Sequence, residues 1–555
     1  AQAQSHYIAG LPVPTLTINL TNTGISVESS LNGTFFIGNT ELVNLTAETA
    51  KALEAQAMVT TGQLKVEADN GRESSLSSET ITLGTTGNDT IDRSSATTQD
   101  VIHGFGGSDT IDAGDGNDTI YGGDGADTIT GGAGADHIDG GIGADEFSFA
   151  DIAEVTSDTL IDGGNDTDTL VITAEITAAV DLNATAGQIV NVENLTLTGG
   201  STSAVTLDTD MTGVTLGAAG SVVLSDGAQS VTGSAGNDAV AVGDLTATGT
   251  LALAAGANVV TVRDGAVLDN ATITATGGTA ALTIEDNASV TLNKTNYDLF
   301  NTTGIMANLT ETIIFSEAVT GPTALNANVE KFTLAAGTNS VTSGAAGQTI
   351  DADNLLDGEV LTLAGTDDVT VSLIAGDLTS TSTGNITVNA TTGSNEITTG
   401  AGDDTIDGGA GADTLTGGGA DDTLVADDAD TKVDGGTGTD TMQLALDATF
   451  LASELDNVET VELESDAEVT VDYTDVTGTD SVDTVTGVSG GPDEKLIVVG
   501  ATSGSETLDY SAAKLTLQHV LLEVQGGAAN ETIAGTAGDD DIEGGVGDDT
   551  ITGGA

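Results

Sequence analysis

Between Gly104 and Ser148 an aspartate returns every nine residues, at Asp109, Asp118, Asp127, Asp136 and Asp145. Two places after each stands an apolar residue: Ile111, Ile120, Ile129, Ile138 and Phe147. Glycine fills most first, second and fourth places, as in Gly122-Gly123-Asp124-Gly125-Ala126-Asp127. Carboxylates and inward-turned main-chain carbonyls are hard oxygen donors, of which Ca²⁺ gathers roughly six to eight. A fixed nine-residue period of this composition points to a parallel β-roll that binds this cation.

Two kinds of element must hold such donors in place. The glycine turns need backbone with φ > 0 to aim their carbonyls inward, which a Cβ opposes. The Thr-Ile-x after each turn reads as a short strand whose apolar residue points into the roll and whose neighbours point out. Two units make one coil, so an ion sits between turns stacked on the same side, and five turns give roughly three shared sites.

The pattern recurs. Residues 393–442 carry Asp404, Asp413, Asp422 and, after one degenerate unit, Asp440, followed by Ile406, Leu415, Leu424 and Met442. Residues 526–555 carry Glu531, Asp540 and Asp549 before Ile533, Ile542 and Ile551. An outlying unit with Asp89 precedes the first block, and an irregular insert rejoins the register at Asp100 and Ile102. The lone unit Gly233-Ser234-Ala235-Gly236-Asn237-Asp238 reads as a plain turn, because it has no stacked partner to complete coordination.

Composition narrows the function. The 555 residues hold 86 acidic against 10 basic side chains, a formal charge of -76. No basic footprint exists to neutralise phosphates, so nucleic acid is not an expected partner. Adaptation to high salt would also favour an acidic surface, yet it would not set a nine-residue period. With no cysteine there is no disulfide framework, and calcium would serve as the staple of an exported chain. No apolar run is long enough to span a membrane. No basic segment followed by an apolar core opens the chain, so a Sec-type signal is expected to be absent or already removed, and because Thr552-Gly553-Gly554-Ala555 begins a further unit the sequence is expected to be a fragment.

Elsewhere the chain reads as all-β. Residues 1–80 read as a small α+β domain, with an extended arm at Leu11-Pro12-Val13-Pro14, a strand through Leu16, Ile18 and Leu20, and a helix over Thr46 to Val59. It would cap the solenoid, or attach and assemble the protein. The first roll occupies 81–150, β-rich solenoid-like modules 151–392, the second roll 393–442, another β-rich module 443–525 and the start of a third roll 526–555. Between 195 and 292, apolar pairs such as Leu195/Leu197, Val214/Leu216 and Val260/Val262 resemble solenoid rungs, with a β-sandwich as the alternative. A longer repeat overlies them: Asn191-Val192-Glu193, Asn328-Val329-Glu330 and Asn457-Val458-Glu459, each after a related strand that begins at Asp168, Glu311 or Asp440.

At the nonapeptides the sequence resembles the RTX (repeats-in-toxin) family, whose unit is Gly-Gly-x-Gly-x-Asp-x-apolar-x. The resemblance implies Ca²⁺ ligation, by several ions, through Asp109, Asp118, Asp127, Asp136, Asp145, Asp404, Asp413, Asp422, Asp540 and Asp549. Asp89, Asp115, Asp124, Asp168 and Asp440, with the turn glycines Gly122, Gly131 and Gly140, complete the candidate metal set. Phe105, Ala113 and Glu531 depart from the unit. The composition between the blocks is similar to that of calcium-dependent bacterial surface-layer proteins. These likenesses imply type I secretion, a place on the bacterial cell surface or in the extracellular matrix, and a homo-oligomeric lattice or filament, with cell-surface polysaccharide as a further candidate partner.

No enzyme is expected within these residues. The histidines His6, His103, His137 and His519 are scattered, with His103 and His137 expected to face solvent, and no His-Glu-x-x-His occurs. Gly487-Val488-Ser489-Gly490-Gly491 matches a hydrolase motif but leads into a strand instead of the required helix. The expected function is a secreted calcium-binding structural protein. An adhesin on a calcium-stiffened stalk is the alternative, and an exported enzyme with its catalytic part beyond residue 555 is the third reading.

Overall fold

The computed structural model describes residues 16–37 and 80–553, apart from short segments within each range. The expected arm at residues 11–14, the helix over residues 46–59 and Ser489 lie outside the described residues. Leu16–Thr21, Gly24–Ser29 and Gly33–Ile37 form an antiparallel sheet, Ile18 opposite Val27 and Val27 opposite Phe35. From Thr80 onward every described strand pair is parallel. The solenoid reading therefore holds and the sandwich does not, since the hairpins of a sandwich pair antiparallel.

The chain divides into two compact units. The first contains a six-stranded sheet from Thr80–Leu83 to Ile189–Val190 and a ten-stranded sheet from Thr90–Asp92 to Thr272–Ala275. Along the larger sheet one buried apolar residue per coil stacks on the next: Ile111 on Ile129, Phe147 on Leu170, Leu195 on Val214. Ile102, Ile120, Ile138, Ile161 and Ile189 form the matching column of the smaller sheet. Burying one such side chain contributes about 1.5–3 kcal/mol, and each coil supplies one to each sheet. Thr and other β-branched residues take the outward places, where they suit a pleated surface.

The second unit repeats the plan with a thirteen-stranded sheet from Ala266–Val267 to Thr516–Gln518 and an eight-stranded sheet from Thr323–Ala324 to Leu455–Asp456. Smaller sheets of five and three strands follow. The expected second roll is not set apart here. Its Ile406 stacks on Val388 before it and, through Leu424 and Met442, leads to Val461 after it, in one unbroken register. Nonapeptide and non-nonapeptide rungs share sheets because both put one apolar side chain inside per strand.

Helices are few among the described residues: Ile152–Ser157, Lys294–Thr303 and Tyr473–Thr477. None is long and apolar enough to cross a membrane. The first takes the place of a glycine turn. Asp151 caps it by accepting from the Ala153 and Glu154 amides, and its exit delivers Asp158.

Candidate metal centres

The sixth-position aspartates form two hydrogen-bonded ladders in the first unit. Ahead of the ten-stranded sheet, the Asp89 amide donates to Asp109 Oδ1 (2.8 Å), Asp109 to Asp127 (2.7 Å), Asp127 to Asp145 (2.8 Å) and Asp145 to Asp168 (2.7 Å). Ahead of the six-stranded sheet, Asp100 donates to Asp118 (2.6 Å), Asp118 to Asp136 (2.7 Å) and Asp136 to Asp158 (3.0 Å). One carboxylate oxygen of each rung thus satisfies the amide of the coil before it.

The other oxygen has no partner. The Oδ2 atoms of Asp109, Asp118, Asp127, Asp136, Asp145, Asp158 and Asp168 are buried and make no hydrogen bond. In the second unit the same holds for Asp413, Asp422 and Asp440, and for Glu531 Oε2. A buried, unsatisfied polar atom costs about 1–3 kcal/mol, and more when charged. Burial, opposed by the ladder hydrogen bonds and reinforced by neighbouring acids, pushes the carboxyls of Asp118 and Asp145 up to about 7 and that of Asp158 to about 8. Asp422 is likewise raised to about 7.

The first-position glycines leave room beside these oxygens. A Cβ on Gly122 would sit 2.5 Å from Asp127 Oδ2 and 2.5 Å from the Gly140 carbonyl oxygen. Gly140 faces Asp145 Oδ2 and the Gly163 carbonyl in the same way, and Gly131 faces Asp136 Oδ2. Beside Gly122 and Gly140 a bare carboxylate oxygen and a main-chain carbonyl oxygen therefore converge on a space that glycine keeps open. This donor set fits Ca²⁺, a hard cation that accepts mixed carboxylate and carbonyl ligands. Among the described residues no three acidic or histidine side chains converge on one point. A bound cation would thus be held by one carboxylate per coil and by the chain's own carbonyls, and its charge would offset the stacked anions.

Some turns close on themselves. Asp89 Oδ2 accepts from the Thr85 amide (2.5 Å) and hydroxyl (2.9 Å). Asp238 Oδ2 accepts from the Ser234 amide (2.8 Å), while its Oδ1 takes the Ser234 hydroxyl (2.9 Å) and the Gly220 amide (3.1 Å). Asp404 Oδ2 accepts from the Gly400 amide (3.2 Å), and Asp540 Oδ1 from the Thr536 hydroxyl (2.5 Å). The second-position backbone separates the two kinds of turn. Gly123, Gly132 and Gly141 take φ of +115°, +94° and +109°, and even Phe105 stands at +77°, whereas Thr85, Ser234 and Gly400 do not enter this region. With φ > 0 the second-position amide leaves the carboxylate bare. At Thr85, Ser234 and Gly400 it donates to the carboxylate instead, while Asp158, reached through a helix, and Glu531 are bare without a positive φ at that place.

The candidate residues thus fall into groups. Asp109, Asp118, Asp127, Asp136, Asp145, Asp168, Asp413, Asp422 and Asp440 carry a buried bare oxygen. Asp89 and Asp404 are satisfied within their own turns. Asp549 is half-buried and accepts the Glu531 amide (3.0 Å), and Asp540 is half-buried as well. Asp115 and Asp124 stand exposed at turn corners, apart from the ladders. Asp238 is not isolated, since it accepts the Gly220 amide and its own amide donates to Asn258 Oδ1 (2.9 Å); its turn is closed by Ser234 instead. His103 does not face solvent: it is 7% exposed and its ring stacks on Tyr121, centroids 4.6 Å apart, and on Phe105 at 5.7 Å. The register places Tyr121 directly opposite it in the next coil.

Sequence reasoning missed Asp158 and Asp430. Asp430 Oδ1 accepts the Asp413 amide at 3.1 Å, as Asp158 does that of Asp136. In both, Thr159 or Thr431 adds one residue, so the buried apolar residue, Ile161 or Val433, comes three places after the aspartate instead of two. The Asp-Thr pair was the available signal. Arg93 was missed too: its guanidinium grips both oxygens of Asp100 (3.0 and 3.2 Å) and closes the start of the second ladder with a built-in cation.

Stacked parallel coils with a buried carboxylate column define a cation-binding β-roll. The family model described as the RTX calcium-binding nonapeptide repeat (4 copies) matches residues 99–120, 112–147, 389–424, 408–442 and 525–555, and the chain carries these calcium-binding repeats. No curated protein matches the chain.

Proposed function

We propose that this chain is a secreted structural protein whose acidic coils fold on Ca²⁺ after export and then assemble with copies of themselves into a surface layer or filament. The observation that carries this reading is the column of buried carboxylate oxygens without partners. Without a cation these groups repel one another in a desolvated core, and with one they become ligands. Cytosolic free Ca²⁺ lies well below what sites of roughly 10⁻⁴–10⁻³ M affinity need, so folding would wait for the outside of the cell. Net charge supports the assembly step: at -76 the subunits repel unless divalent cations bridge them.

Circular dichroism during a Ca²⁺ titration, with chelator reversal, tests the folding step, and β-content unchanged by excess chelator would refute it. Electron microscopy of the Ca²⁺-loaded protein tests assembly. Ordered sheets or filaments support it, while isolated rods that bind glycans or cells would identify an adhesin instead.

A further inference from the structure

The three Asn-Val-Glu segments look in sequence like a module signature. In two of them the structure shows a different role. The first ladder ends where the Asp168 amide donates to Glu193 Oε2 (2.8 Å), and the second unit's ladder ends where the Asp440 amide donates to Glu459 Oε2 (2.7 Å). Glu takes over the amide that a further aspartate would have satisfied. Two residues earlier, Asn191 and Asn457 adopt φ of +54° and +49°. Their side-chain amides donate to Asp162 Oδ1 (2.8 Å) and Asp434 Oδ1 (2.7 Å), which holds them in this left-handed conformation.

The conformation has a consequence at the last rung. In earlier coils the carbonyl that faces the bare Asp oxygen belongs to the next first-position glycine, as Gly140 does for Asp127. After Asp168 no such glycine follows, and Asn191 occupies its register position, since Asp162 pairs with Val190. A Cβ on Gly163 would meet both the Asn191 carbonyl oxygen and Asp168 Oδ2, the latter at 2.5 Å. A Cβ on Gly435 would meet the Asn457 carbonyl oxygen and Asp440 Oδ2, the latter at 2.7 Å. Asp168 and Asp440 are both 0% exposed, and both Oδ2 atoms lack a partner.

We propose that Asn-Val-Glu is a closing element that builds one additional Ca²⁺ site at the end of each block, with Asp168 Oδ2 and the Asn191 carbonyl in the first and Asp440 Oδ2 and the Asn457 carbonyl in the second. Gly163, Asp168 and Asn191 all lie outside the matched nonapeptides, as does Asn457. The third copy serves as an internal contrast. There the acid before the strand is Glu311, Asn328 does not take a positive φ, and its side-chain amide donates to the Ile305 carbonyl (2.7 Å). It makes no site.

This inference rests on the calcium reading, and counting ions separates the two. Equilibrium dialysis of the full chain against radiocalcium gives ions bound per chain for the wild type and for Asp168→Asn, Asp440→Asn, their double variant and Asp238→Asn. Asn keeps the Oδ1 acceptor and removes the anionic Oδ2. Each single variant should lose about one ion and the double variant about two, with none lost from Asp238→Asn. Ion counts equal to wild type in Asp168→Asn and Asp440→Asn would overturn the closing sites, while a wild type that binds no calcium overturns the calcium reading itself. Should the aspartate variants fail to fold, Asn191→Gly and Asn191→Val decide. Glycine keeps the left-handed carbonyl and should retain the ion, and valine, which resists φ > 0, should lose it. Equal counts in this pair would also reject the proposal.

Discussion

The Asp440 amide donates to Glu459 Oε2 at 2.7 Å, and this single hydrogen bond marks where a column of aspartates ends and an ordinary rung begins. At Asp422 and Asp440 one carboxylate oxygen belongs to the preceding coil's amide and the other waits for a cation, whereas Asp404 at the head of the ladder gives its second oxygen to the Gly400 amide.

The bare oxygens set the pH response. The carboxyls of Asp118, Asp145 and Asp422 titrate near 7 and that of Asp158 near 8 in the folded chain, mainly because burial disfavours the anion, against about 3.9 when unfolded. The folded state therefore binds more protons than the unfolded one between these values, and by linkage its stability falls as pH rises through the window. In excess chelator the protein should be most resistant to urea near pH 4 and lose stability up to about pH 8. In saturating Ca²⁺ the slope should reverse, because deprotonation creates ligands. Urea midpoints measured across pH in both buffers check this, and identical slopes would contradict it.

Removing a rung should damage two things at once. Asp127→Ala takes away the acceptor for the buried Asp109 amide, which costs about 1–3 kcal/mol, and it also removes a cation ligand. The loss in thermal stability should be larger with Ca²⁺ than with chelator. Calorimetry in both conditions reads the difference.

Glycine at the first position is required by space. Gly122→Ala puts a methyl group 2.5 Å from both Asp127 Oδ2 and the Gly140 carbonyl oxygen, so it should weaken Ca²⁺ binding at that coil and lower the calcium-bound melting temperature. Gly87→Ala, whose nearest neighbour would be Thr85 Oγ1 at 3.9 Å, should be tolerated. Calcium titrations of the two variants side by side would expose an error if both behaved alike.

Closed turns should ignore calcium. Ser234→Ala deletes the hydroxyl that bonds Asp238 Oδ1 and accepts the Gly236 amide at 2.9 Å, at a cost of about 1 kcal/mol. The same loss is expected with Ca²⁺ and with chelator, since both oxygens of Asp238 are already satisfied within the protein. Paired urea melts provide the measurement.

The aspartate and apolar registers from Asp109 to Phe147 were fully legible in the sequence, because a nonapeptide encodes its turn and its strand within nine neighbouring residues. Strand alternation outside the blocks was legible for the same reason: Leu195/Leu197 and Val214/Leu216 declare an inward face locally. The tertiary structure alone decided which carboxylates stay bare. That depends on the φ of the second-position residue and on an amide one coil away, so Asp89 and Asp109 look alike in sequence and differ in chemistry. It also recovered Asp158, which a helix and one extra threonine had moved out of period. It turned Asn-Val-Glu from a repeat signature into the end of the ladder, because the partners of Asn191 and Glu193 are Asp162 and Asp168, more than twenty residues back along the chain and adjacent only once the coils stack.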